Sequence, residues 1–174
     1  MSQDAVQSAM NEQIKHELQS AYLYLSAAGY FESINLSGAA SWMRLQSEEE
    51  VMHAMKFFNF IHDRGARVVL QALDQPESDF ESPLDVFTKA LAHEKEVTAL
   101  IHKLYGLAVQ DKDYPAQVLL QWFVSEQVEE EKNAGRVVDE LKMVGDNSSA
   151  LLLLDRELAS RQAGTAAPPG GGGA

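Results

Sequence analysis

Apolar residues recur three and four apart over four proline-free stretches of the chain, the repeat that builds one buried face on an α-helix. The first stretch predicts a helix from about Asp4 to Glu32. The second runs from Ser37, read as its N-cap, to Arg64, with Gly65 just past its end. A third opens at Ser82-Pro83, a cap followed by an N1 proline, and reaches about Asp111. A fourth starts at Asp113, carries Pro115 in its first turn and ends near Gly145. A shorter fifth, capped by Ser148 or Ser149, contains Leu151, Leu152, Leu153 and Leu154. The expected fold is all-α.

The links order these helices. A few residues around Asn35 join the first pair and Lys112 to Tyr114 the second, so each pair forms an antiparallel hairpin. From Ala66 to about Glu81 helical periodicity is absent. Roughly 16 extended residues reach about 50 Å, beyond the roughly 42 Å of a 28-residue helix. That link can cross a whole bundle. The predicted architecture is a four-helix bundle with one long crossover and a short C-terminal fifth helix, one domain over residues 1–162, followed by a flexible tail at 163–174 rich in Pro and Gly.

The inward stripe of each helix is not purely apolar. The first stripe is Ile14, Glu17 with Leu18, Ala21, Tyr24 with Leu25, and Ala28. The second is Met43, Gln46, Glu50, His53, Phe57 and Phe60. The third is Phe87, Leu91, Glu94, Val97 with Thr98, Ile101 and Leu104. The fourth is Leu120, Phe123, Gln127, Glu130, Ala134, Val137 and Leu141. Every stripe carries polar groups near its midpoint. Glu17 and Glu50 stand 33 residues apart, as do Glu94 and Gln127, and adding 77 to positions 17, 50 and 53 gives 94, 127 and 130. The two hairpins therefore read as a degenerate duplication with a pseudo-twofold axis.

A lone Glu on a helix is ordinarily a solvated residue, and Glu-x-x-His recurs by chance. Four apolar stripes interrupted together at a repeated offset are much rarer. Buried carboxylates are costly unless paired or metal-bound, and no Lys or Arg shares these stripes. An oxygen-rich set with one imidazole and no sulfur suits iron or manganese and tolerates zinc. Glu17, Glu50 and His53 can share one metal, and Glu94 can hold a second bridged by Glu50. Glu49 and Glu126, again 77 apart, suggest a third, weaker position with Glu129 and Glu130. His16, His62, His93 and His102 lie off the inward faces.

Composition narrows the partners. With 26 Asp+Glu against 14 Lys+Arg the net charge is -12, which repels phosphate backbones and anionic lipid. Neither nucleic acid nor a membrane is expected as a partner. The absence of cysteine (Cys 0) excludes disulfides, thiolate metal sites and a cysteine nucleophile. Residues Met1 to Ala9 lack the basic and apolar segments of a signal peptide, so the expected address is cytoplasmic.

Three segments carry a family resemblance: Asn11-Glu12-Gln13-Ile14 leading to Glu17, Glu48-Glu49-Glu50-Val51-Met52-His53, and Gln121-Trp122-Phe123-Val124-Ser125-Glu126-Gln127. With them the chain resembles the non-haem bacterial ferritins over nearly all of Met1 to Gln162. The resemblance implies a ferroxidase that binds two Fe(II) per subunit, oxidises them with O2 or H2O2 and stores Fe(III) mineral inside a hollow shell of 24 subunits. It implies Glu17, Glu50 and His53 as ligands of the first iron, Glu50 and Glu94 as those of the second with Gln127 beside it, and Glu49, Glu126, Glu129 and Glu130 at a third iron, Glu130 swinging between the second and third. Tyr24 matches a tyrosine near the diiron centre that donates an electron or a hydrogen bond. The short fifth helix resembles the element that packs around fourfold axes. Val51 stands where bacterioferritins place a haem-ligating methionine, so no haem is expected. A diiron oxidase or peroxide scavenger without storage, and a shell protein with a dead metal site, are the competing readings.

Overall fold

The computed structural model describes residues 2–162, and the expected 163–174 tail lies outside them. Five helices follow one another: α1 (Ser2–Ser33), α2 (Ser37–Asp63), α3 (Pro83–Gln110), α4 (Tyr114–Val144) and α5 (Ser148–Leu158). No strand occurs among the described residues. Helix α1 packs along α2 and α3 along α4, α1 and α3 join the two hairpins, and α5 sits against α2 and α4.

Local chemistry sets the ends. Asn35 takes a positive φ of 62° and Lys112 one of 55°, each reversing the chain between the helices of a hairpin. Ser82 accepts from the Asp85 amide at α3, and Asp113 accepts from the Ala116 amide at α4, as the sequence predicts. Two expected caps are different. The α2 cap position is Leu36, which has no side-chain cap, and Ser37 is the first helical residue. The Asp155 carboxylate supplies what is missing, accepting from the amides of Gly38 at 3.1 Å and Ala39 at 2.8 Å. A Cβ on Gly38 would lie 1.7 Å from the Asp155 carbonyl oxygen, so the close approach of α5 requires glycine there. At α5 it is Asn147, rather than Ser148 or Ser149, that caps, accepting from Ala150 at 3.1 Å.

The crossover from α2 to α3 lies along α1. Val69 donates to Asn11, Asp74 and Gln19 exchange two hydrogen bonds, and Ser26 donates to the Glu77 carbonyl. The partners on α1 advance from 11 to 26 as the crossover advances from 69 to 77. The segment therefore crosses the bundle, and α3 begins at the end where α1 stops.

Two apolar clusters fill the interior. One gathers Phe31, Trp42, Met43, Phe87 and Val137 near α5, and the other Met10, Ile14, Phe57, Ile101, Leu120 and Phe123 at the opposite end. Phe57 stacks on Phe123 with ring centroids 4.2 Å apart. One stripe position faces outward: Leu25 is 52% exposed, while Leu18, Phe60 and Leu91 are partly buried against the core. The 3.6-residue repeat drifts off the bundle axis along a long helix, so the flanks of a stripe reach the surface.

Candidate metal centre

Between the two clusters lies a layer of buried polar side chains: Gln13 and Glu17 from α1, Gln46, Glu49, Glu50 and His53 from α2, Glu94 from α3, and Gln127 and Glu130 from α4. Tyr24 closes it on one side, fully buried. Three groups in this layer bring ligand atoms within 4.8 Å of one another: Glu17, Glu50 and His53; Glu50, Glu94 and Glu130; and His53, Glu126 and Glu130. The first two share Glu50. The third shares His53 with the first and Glu130 with the second.

His53 serves two sides. Its Nδ1 lies 3.4 Å from Glu50 Oε2 and 3.9 Å from Glu17 Oε2, while Nε2 faces Glu126 at 4.0 Å. Trp122 and Phe123 meet its ring edge-on at 5.3 and 5.9 Å and fix its plane. Glu17 Oε1 accepts from Gln13 at 2.9 Å. Glu17 Oε2 is buried and has no hydrogen-bond partner.

The second hairpin is tied more fully. The Tyr24 hydroxyl donates to Glu94 Oε1, and Gln127 Nε2 donates to Glu94 Oε2 and to Thr98, both at 3.2 Å. Gln46 Nε2 donates to Glu130 Oε2 at 2.6 Å and more weakly to Glu50 Oε1 at 3.4 Å. Gln127 therefore stands beside Glu94 as a hydrogen-bond donor.

So many acids in one dry layer cannot all ionise. Burial, then the charge of Glu50, holds the Glu17 carboxyl well above its usual range. Burial, then Glu94 and Glu130, does the same to Glu50. Glu130 is pushed up to about 8, first by burial and then by Glu94. Tyr24 is raised by burial and by Glu94. Glu126, half-buried, is raised chiefly by burial. A divalent cation would relieve this cost. An orphaned carboxylate oxygen facing an imidazole, in an all-oxygen and nitrogen set, fits a hard or borderline metal ion.

The other candidates are not members of these three groups. Glu49 is held by Arg161, whose Nη2 donates to Glu49 Oε2 at 2.6 Å. Glu129 is exposed and belongs to none of the three groups. His62 and His102 are exposed, and the half-buried His93 lies 2.7 Å from the Ser20 hydroxyl. Sequence reasoning missed Arg161, Gln46 as a carboxylate partner, and Gln13. The two glutamines sit four residues before a stripe glutamate, a spacing that places them one helical turn away. For Arg161 no local signal exists.

Comparison with known proteins identifies the family. Residues 7–144 match the Ferritin family, a ferritin-like domain. The chain belongs to the ferritin family. It is 39% identical over 153 residues to a bacterial non-heme ferritin of Staphylococcus aureus, covering 88% of this chain and 92% of that one. A bacterial non-heme ferritin of Staphylococcus saprophyticus is 38% identical over the same span. Among solved structures, an open-pore ferritin from the hyperthermophilic archaeon Archaeoglobus fulgidus superposes with a TM-score of 0.90 at 49% identity, covering 91% of this chain and 98% of that one. An engineered closed form of it gives the same TM-score and identity. This ferritin resembles non-haem relatives over nearly its whole described length, and no described helix is long and apolar enough to cross a membrane.

Proposed function

We propose that this ferritin is a cytoplasmic iron-storage protein with ferroxidase activity, working as a 24-subunit shell whose interior holds Fe(III) mineral. The observation that carries the reading is the pair of adjoining donor groups that share Glu50, with the unpartnered Glu17 oxygen in one of them. Two cations bridged by one carboxylate suit a two-electron oxidation.

Fe(II) is the substrate. Glu17, Glu50 and His53 receive one ion, and Glu50, Glu94 and Glu130 the other. Each Fe(II) gives up one electron; O2 takes the pair and two protons and leaves as H2O2. With H2O2 as oxidant, two electrons and two protons yield two waters. Burial and mutual repulsion favour the protonated forms in the cluster of Glu17, Glu50 and Glu130, so proton release accompanies loading. Tyr24 holds Glu94 in place and stands next to the site as a donor. The protein's part is to fix metal separation and leave coordination positions open to the oxidant.

Two surfaces support assembly. Leu152 and Leu153 of the docked α5 are exposed, as are Tyr22 and Leu25 of α1. Such apolar exposure suits subunit contacts. The -12 charge per chain, repeated over a shell, would draw cations toward it. An isolated oxidase would have no use for α5, which weighs against that reading.

Aerobic addition of Fe(II) to the apoprotein, followed in the near ultraviolet, tests the activity. Glu17→Ala and His53→Ala should each slow oxidation strongly. Equal rates in both variants and the parent would remove the ferroxidase assignment.

A further inference from the structure

The residue left unexplained by the site is Arg161, which follows α5 and is more than 110 positions from the residues it touches. Its Nη1 donates to Gln46 Oε1 at 2.8 Å and its Nη2 to Glu49 Oε2 at 2.6 Å. Its guanidinium also lies over the Trp42 ring, 4.4 Å from the centroid. The pair is well shielded, with side-chain exposures of 18% for Arg161 and 10% for Glu49.

These contacts reach the metal layer by two routes. The direct one neutralises Glu49. The second runs through Gln46: once its oxygen accepts from Arg161, its amide nitrogen must face Glu130 and Glu50, and the bonds at 2.6 and 3.4 Å follow. Glu130 belongs to both the second and the third donor group. One cationic side chain thus engages Glu49 and, through an amide, sets the position of Glu130.

We propose that Arg161 is a positioning residue for the third metal position, a standing counter-cation that holds Glu49 while the position is empty and yields it when a divalent ion arrives at His53, Glu126 and Glu130. This rests on the reading of those residues as a metal position. The charge of Glu49 bears on both Glu126 and Glu130, so the guanidinium and the incoming ion compete for that carboxylate; Arg161 weakens binding there and reaches the second position only through Gln46. The last few residues of the described chain thereby respond to the metal load of the bundle.

Zn(II), which is redox-silent, is the probe, titrated calorimetrically into metal-free parent, Arg161→Gln and Arg161→Lys proteins. Helix α5 is held independently by Asp155 on α2 and by buried Leu154 and Leu158, so the variants keep the fold. Arg161→Gln should tighten the third, weakest class by about tenfold, since a charge-assisted competitor is gone; the class at Glu17, Glu50 and His53 should stay within about twofold. Arg161→Lys should fall between. Adding Glu49→Gln to Arg161→Gln should cancel the gain, which loss of packing alone would not do. In a Trp122→Phe background, Trp42 fluorescence should step at the third equivalent, and the step should vanish in Arg161→Gln. A parent that binds three Zn(II) with a third affinity indifferent to Arg161→Gln overturns the role of Arg161 alone. Saturation at two Zn(II) in both proteins overturns the third position and the inference with it.

Discussion

The two adjoining donor groups come from halves of the chain related by a 77-residue offset, yet they are prepared differently. The first, from α1 and α2, has two carboxylates and an imidazole, and one Glu17 oxygen faces it without a partner. The second, largely from α3 and α4, has three carboxylates, and Glu94 and Glu130 are already committed to Tyr24, Gln127 and Gln46. The 77-residue offset explains the origin of the contrast: where the first hairpin places His53, the second places Glu130. Exchanging imidazole for carboxylate adds charge to a dry site, and the hydrogen bonds on the second side offset part of that cost. The first position is therefore open and suited to borderline ions. The second is pre-tied, harder and dependent on its donors.

Breaking the shared element should have the largest effect. Glu50→Ala removes a ligand from both positions, so Fe(II) oxidation measured by stopped flow should fall by well over the roughly 10–100-fold that loss of an outer partner costs. Retention of even half the parent rate would contradict a shared ligand. Next, His53→Ala should empty the first position while leaving one Zn(II) bound at the second, and calorimetry can count the loss. Tyr24→Phe should act on the other side, weakening the second Zn(II) by about tenfold through release of Glu94; an equal effect on both positions would erase the contrast between them.

Acid clustering gives a stability test. Glu17, Glu50 and Glu130 hold protons to higher pH when folded than when unfolded. Between the usual carboxylate range and about 8 the metal-free native state therefore binds more protons than the unfolded chain, and stability falls as pH rises through that window. The melting temperature of the apoprotein should drop over this range, and saturating Zn(II) should reverse the drop. Glu130→Gln should flatten it. The smallest effect is expected from Gln13→Met, which removes one hydrogen bond from Glu17, worth roughly 0.5–1.5 kcal/mol, and so should change first-position affinity by no more than about tenfold.

Most of the bundle was legible because its signals are local or periodic. The Ser82 and Asp113 caps, the inward faces of α3 and α4 and the repeated spacing of Glu17, Glu50, Glu94 and Gln127 all depend on residues a turn or a helix apart. What escaped depends on groups far apart in sequence. Asp155 caps α2 across more than 110 residues and displaces the local candidate Ser37. Arg161 reaches Glu49 from beyond α5, and no helical periodicity encodes such a contact. Leu25 lies on the stripe yet faces outward, because a period alone does not fix how wide the buried face is. Glu129 lies outside the buried groups for the same reason: it adjoins Glu130 in sequence, and about 100° of helical rotation turns it to solvent.

The central claim is that the paired positions feed a store. Its most direct measurement is the iron content per subunit after stepwise aerobic Fe(II) loading and removal of free iron, taken together with the mass of the assembly. A shell-sized particle that retains iron far beyond three ions per subunit is the expected result. Saturation at two or three ions per subunit would contradict storage and leave a diiron oxidase in its place.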